Sequence, residues 1–207
     1  MQKKKKGFDI GITGGIGAGK TLISSIFNNL GIPVYYADER AKFLMNHDEK
    51  LIREITEFFG PDTYLNGRLN RSYLSSHVFI NRDKLDQLNE LVHPAVREDY
   101  LQWRQNHLEM PYTLKEAALL FETGSYKELE QTILIYAPLP LRIERTLLRD
   151  PHRTKKDIEK IIDNQMPDEE KKKLADHIIY NDDTRLVIPQ VLKIHHQFMD
   201  AFKDRIR

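Results

Sequence analysis

Gly14-Gly15-Ile16-Gly17-Ala18-Gly19-Lys20-Thr21 follows the pattern G-x-x-x-x-G-K-[ST]. Each position answers a need of a bound polyphosphate. Glycines let backbone N–H groups turn inward around anionic oxygens. The Lys20 ammonium reaches the outer phosphates, and the Thr21 hydroxyl suits Mg²⁺. Gly14, Gly15, Ile16, Gly17, Ala18 and Gly19 are therefore candidate nucleotide contacts together with Lys20 and Thr21.

The flanks agree with the motif. Phe8-Asp9-Ile10-Gly11-Ile12-Thr13 alternates as a strand does, and Leu22, Ile23, Ile26, Phe27 and Leu30 recur at helical spacing, with Gly31 as a stop. Strand, glycine loop and helix together aim a helix N-terminus at a phosphate. A dinucleotide fingerprint fits less well, because Lys20 stands where a third glycine would be needed for close helix–strand packing.

Four further segments read as buried strands: Ile32–Tyr36, one within Leu114–Phe121, Thr132–Tyr136 and His177–Tyr180. Helical patterns separate them, which predicts an α/β fold with a central parallel sheet covered on both faces. Residues 42–110 carry helical periodicity and little strand signal, and His93-Pro94 interrupts that periodicity, so that Pro94 starts a new helix or kinks a long one. This stretch reads as a helical insert for an acceptor, and residues 139–175 as a helical lid. The nucleotide-binding core is then 7–41, 111–138 and 176–207. Lys3 to Lys6 lie in a disordered basic tail, residues 1–6.

Composition narrows the function. The chain has 207 residues, is 40% hydrophobic and 30% charged, and carries a formal net charge of +1. That balance gives no case for a nucleic-acid binder. There is no cysteine, so disulfides and thiolate chemistry are excluded. No apolar stretch is long enough to span a membrane, and no signal-peptide core follows the lysines. A cytoplasmic monomer is expected.

Phosphate loops serve motors, switches and kinases alike. No guanine-recognition signature Asn-Lys-x-Asp is present, and the apolar strand 133–136 runs into Ala137-Pro138 with no carboxylate at its end. A compact phosphotransferase remains. Asp38, just after the second strand, is the leading carboxylate to orient an acceptor hydroxyl and take its proton, or else a helix N-cap. Arg145 and Arg149 lie four apart on one helix face and read as cations for a transferring phosphoryl group. Arg142 and Arg153 stay open. The alternatives are a kinase of some other small hydroxyl acceptor, such as a nucleoside or nucleotide, and, from another class, a non-catalytic nucleotide sensor.

The chain also resembles a known family. Gly11 to Thr21, then Gly31-Ile32-Pro33-Val34-Tyr35-Tyr36-Ala37-Asp38, Asn66 to Arg71, Leu91-Val92-His93-Pro94, Leu119-Leu120-Phe121-Glu122, Arg145 to Asp150, Gln165 and Ala175-Asp176 are similar, in that order, to dephospho-CoA kinases. The resemblance implies a P-loop three-layer fold. It implies transfer of the ATP γ-phosphoryl group to the 3′-hydroxyl of dephospho-CoA, with Mg²⁺. It gives Asp38 the base role, residues 42–110 the acceptor and the arginine helices the lid. Arg71, His93 and Glu122 become acceptor-side or supporting residues. The chain departs from the family at Tyr36 (for the first acid of Asp-Ala-Asp), Ala118 (for proline), Leu22 (for a second hydroxyl residue) and Asp182-Asp183 (for Asn-Gly).

Overall fold

The computed structural model describes residues 7–78 and 81–207; the expected basic tail lies outside the described residues. In chain order the elements are β1 (Phe8–Thr13), α1 (Lys20–Asn29), β2 (Val34–Tyr36), α2 (Ala37–His47), α3 (Glu49–Phe59), β3 (Tyr64–Leu65) and β4 (Arg68–Leu69). There follow α4 (Arg71–Val78), α5 (Arg82–Gln105), β5 (Tyr112–Glu116), β6 (Gln131–Tyr136), α6 (Leu139–Arg149), α7 (Lys155–Asp163), α8 (Asp168–Leu174), β7 (His177–Tyr180) and α9 (Val187–Ile206). They form two compact units. One holds the chain up to Tyr35 and His107–Arg207, the other Tyr36–Asn106.

The first unit is built on a five-stranded sheet of order β2-β5-β1-β6-β7, with β1 parallel to both β5 and β6, and β6 parallel to β7. Its core alternates as a pleated sheet requires. Ile10, Ile12, Leu114, Ile133, Ile135 and Ile179 are buried against Phe27 of α1 and Val191, Ile194 and Phe198 of α9. The intervening residues carry polar ties instead. Thr113 Oγ1 donates to Asp9, and Thr132 donates through both its N–H and its Oγ1 to Asp176 Oδ2 at 2.8 Å. Gly11 lets loops close on this side, since a Cβ there would lie 2.6 Å from Leu120 and 2.8 Å from Leu129. Leu120 is fully buried. Parallel strands bring the residues that follow Thr13, Glu116, Tyr136 and Tyr180 to one edge of the sheet, the edge where open α/β sheets hold ligands.

The second unit is mainly helical. Arg40 of α2 makes a two-pronged contact with Asp99 of α5. Asn46 Oδ1 accepts from Leu69 N–H and Tyr64 Oη donates to Met45 O, which seat a short antiparallel hairpin on α2. That hairpin was not foreseen. Its turn residues, Asn66 and Gly67, have φ 51° and 74°, the left-handed pair that a tight hairpin requires. Pro94 does not start a new helix: it lies inside α5, which runs through it over 24 residues, the long helix of the other alternative. Pro94 and Glu90, whose carbonyl loses its partner, are both exposed, so water can take that bond. Among the described residues no helix is long and apolar enough to cross a membrane.

Far from the loop edge, burial holds the His177 and His195 rings below their ordinary value of 6.5, with neighbouring His196 lowering His195 further. Burial also keeps the Tyr112 phenol protonated, free to donate to a neutral His195 Nδ1 at 2.7 Å. Both rings thus take up a proton less readily in the fold than in the unfolded chain, whose histidines titrate near 6.5. Stability should therefore fall as pH drops from about 7 to about 5. Thermal melts of the native chain and of His195→Gln, which keeps an acceptor for Tyr112, should show a shallower decline in the variant. Identical slopes would show that the ring does not titrate with folding.

Candidate nucleotide-binding site

Helix α1 opens on the glycine loop. Lys20 is its first residue, Gly19 occupies the cap position, and its first turn holds no acidic side chain. The positive end of the helix is therefore left for an anion. Gly17 and Gly19 have φ 76° and 95°. A Cβ at Gly17 would lie 2.2 Å from Arg142 O, and one at Gly19 would lie 2.3 Å from Asn181 Nδ2. Conformation and space both demand glycine there.

The loop is held by bonds at several of its residues. Lys20 Nζ donates to Gly14 O at 3.0 Å, and Ala18 N–H to Gly15 O at 3.1 Å. Ile16 N–H donates to Gln165 Oε1 at 3.1 Å. Asn181 Nδ2 donates to Ala18 O at 2.9 Å. Asn181 follows β7, and its own N–H donates to Tyr136 O at the end of β6. It joins the loop to two neighbouring strands. Sequence reading named Gln165 only as a family match and missed Asn181 altogether. The signal was positional: Asn181 is the first residue after a parallel strand.

Of the arginines, Arg145 donates through Nη1 to Asn181 O at 2.9 Å and through Nη2 to Asp183. Asp183 has φ 61°, a left-handed backbone conformation uncommon for a residue other than glycine. Arg149 instead binds its neighbour Asp150, at 3.2 and 2.9 Å. That contact raises the guanidinium pKa and holds the Asp150 carboxyl below the usual carboxylate range. The two arginines share a helix face but not a partner. Asp182 is likewise lowered, chiefly by the Thr184 hydroxyl it accepts from.

Glu122 lies in this same unit. Its Oε1 accepts from Met166 N–H at 2.9 Å and pairs with the fully buried Lys171 at 2.7 Å. Glu122 therefore seats the residue next to Gln165. The remaining expected residues belong to the second unit. Asp38 is the second residue of α2, whose cap position is Tyr36; the expectation of an Asp38 N-cap is corrected, since the cap lies two residues earlier. Arg71 is the exposed first residue of α4. His93 is exposed within α5, not ahead of a helix start.

One carboxylate escaped the sequence reading. Glu116 ends β5, is 6% exposed, and pairs in register with Ile12 of the strand that feeds the loop. The apolar end of β6 offers no acid beside β1, but β5 flanks β1 on its other side. Among the described residues no group of three or more His, Asp or Glu side chains could hold a metal ion. Mg²⁺ keeps most of its water and needs only one or two protein oxygens, so the donors of Thr21 and Glu116 fit its chemistry.

Comparison with known proteins agrees with this fold. The family profile of dephospho-CoA kinases matches residues 8–186. A dephospho-CoA kinase of Bacteroides fragilis is 36% identical over 185 residues, covering 89% of this chain and 90% of its own length. A Thermus thermophilus crystal structure superposes with a TM-score of 0.82 at 32% identity, covering 93% of this chain and 98% of that one. The Campylobacter jejuni dephospho-CoA kinase gives 0.68 at 26% identity, with coverage of 93% and 98%. With its phosphate loop, its parallel sheet and these matches across nearly all its length, the chain belongs to the dephospho-CoA kinase family.

Proposed function

We propose that the family's reaction, transfer of the ATP γ-phosphoryl group to the 3′-hydroxyl of dephospho-CoA, is divided among this chain's residues as follows. The N–H groups of Gly14 to Thr21 and the Lys20 ammonium hold the triphosphate. The observation that carries this reading is the braced, acid-free loop at the head of α1. Thr21, with Glu116, holds Mg²⁺, which when bound offsets charge on the phosphates. Arg145 leaves Asp183 for the migrating group, and Arg149 adds charge from the next turn of α6. Asp38 orients the ribose hydroxyl and accepts its proton. Its place two residues beyond β2 in the chain, and the matching family block 31–38, support that role.

The insert expected at 42–110, which largely coincides with the compact unit Tyr36–Asn106, forms the acceptor-binding part, with Arg71 and His93 as contacts and Glu122 as a support from the core. Helices α6 to α8 supply the lid. The transition state of phosphoryl transfer is loose, so positioning and charge should contribute most of the rate. The enzyme works as a cytoplasmic monomer, on ATP and dephospho-CoA, with no nucleic acid or membrane as partner.

Two outcomes are expected. Asp38→Asn should lower kcat by about 10²–10⁴-fold while ADP affinity stays native, measured by coupled ADP release and calorimetry. Turnover at the native rate would remove the base role. Glu116→Gln should raise the Mg²⁺ concentration for half-maximal rate about tenfold, the loss of one charged ligand. An unchanged Mg²⁺ titration would take Glu116 out of the metal site.

A further inference from the structure

Arg142 is 4% exposed, and its guanidinium lies against the phosphate loop. A Cβ on Gly15 would stand 1.5 Å from its Nη1 and 2.6 Å from its Cζ. Gly15 does not have a positive φ, unlike Gly17 and Gly19. Any larger residue at 15 would therefore have to displace the arginine, while the backbone there has no positive φ of its own to favour glycine. The same residue meets the loop a second time, because its carbonyl fills the space beside Gly17 and accepts from Thr146 Oγ1 at 2.7 Å. Gln165 holds Ile16 between them. Three consecutive loop residues are therefore fixed from outside, two of them by Arg142.

The charge is not fully matched. Nη2 donates to Asp168 Oδ2 at 2.9 Å, while Nε is buried with no hydrogen-bond partner among the described residues. A buried guanidinium with one partly exposed carboxylate and an idle donor is a costly arrangement for stability alone. An incoming triphosphate supplies the missing compensation, since its charge arrives where the dielectric is low.

We propose that Arg142 is a positioning residue for the nucleotide. It is a buried brace that sets the loop at Gly15–Gly17, ties it to Asp168 at the start of α8, and adds a fixed cation beneath the phosphates. This rests on the loop being the triphosphate site. It differs from the lid role given to Arg145 and Arg149, for Arg142 acts through the loop and needs no closure.

The test compares the native chain with Arg142→Met, Arg142→Lys, Gly15→Ala and the double variant Gly15→Ala/Arg142→Met. ADP affinity is read by calorimetry, and KM for ATP and for dephospho-CoA by initial rates. Arg142→Met should weaken ADP and raise KM for ATP about tenfold, with KM for dephospho-CoA unchanged and part of the loss recovered in Arg142→Lys. Gly15→Ala should cause a similar loss, and the double variant no further one, since the group it collides with is gone. Native ADP affinity in both single variants, or losses that simply add, would overturn the brace. If Arg142→Met does not fold, Asp168→Asn should show the same split between the two KM values at smaller size, and native values there would also overturn it. Failure of the native chain to bind ADP would instead overturn the loop assignment and the brace with it.

Discussion

Backbone N–H groups that converge on an anion repel one another when the anion is absent, so an empty phosphate loop has to be held open by the rest of the chain. Here that support comes from far away in sequence. Gln165 and Asn181 lie 149 and 163 residues from the loop residues they bind. Lys20 spends part of its charge on Gly14 O within the loop itself. Glu122 and Lys171 in turn fix the segment that carries Gln165. Much of the C-terminal half can therefore be read as scaffolding for eight residues near the N-terminus. Preorganisation of this kind lowers the ordering cost of binding and leaves more of the interaction energy for the transition state.

The local parts of this design were legible in the sequence. A strand, a glycine loop and an amphipathic helix are contiguous, and their periodicities are those of the elements they form. The strands at 132–136 and 177–180 were equally plain, because both runs are largely apolar, but the second lies at the sheet's edge and buries only Ile179. What escaped depends on sheet order. β5 is inserted between β1 and β2, so the acid beside the loop strand sits at Glu116, about a hundred residues on, and not after the apolar run of β6. Glu116 follows Lys115, and two charges in succession read as a strand's end more readily than as a buried edge. Both prove to be 6% exposed. Asn181 was hidden for the opposite reason: a lone asparagine before two aspartates reads as turn chemistry. The Asn66-Gly67 hairpin carried a readable signal that the surrounding helical periodicity masked.

The arginines of α6 show how one helix serves two needs. The side chain of Arg142 is 5% exposed, that of Arg145 25%, and that of Arg149 62%. Along this helix the arginines' exposure rises from core to solvent, and the partners change with it: Asp168, then Asn181 O with Asp183, then Asp150 alone. Desolvation fixes the first in place, because moving a buried, paired cation leaves its carboxylate uncompensated. The last is a surface pair of small worth and is easily traded for another anion. Arg145 stands between these limits. Its hold on Asn181 O ties it to the residue that clamps Ala18, while its bond to Asp183 is to a carboxylate 65% exposed and readily solvated on release. A helix graded in this way can anchor a phosphate loop at one end and keep charge available at the other, without any part of it having to unfold.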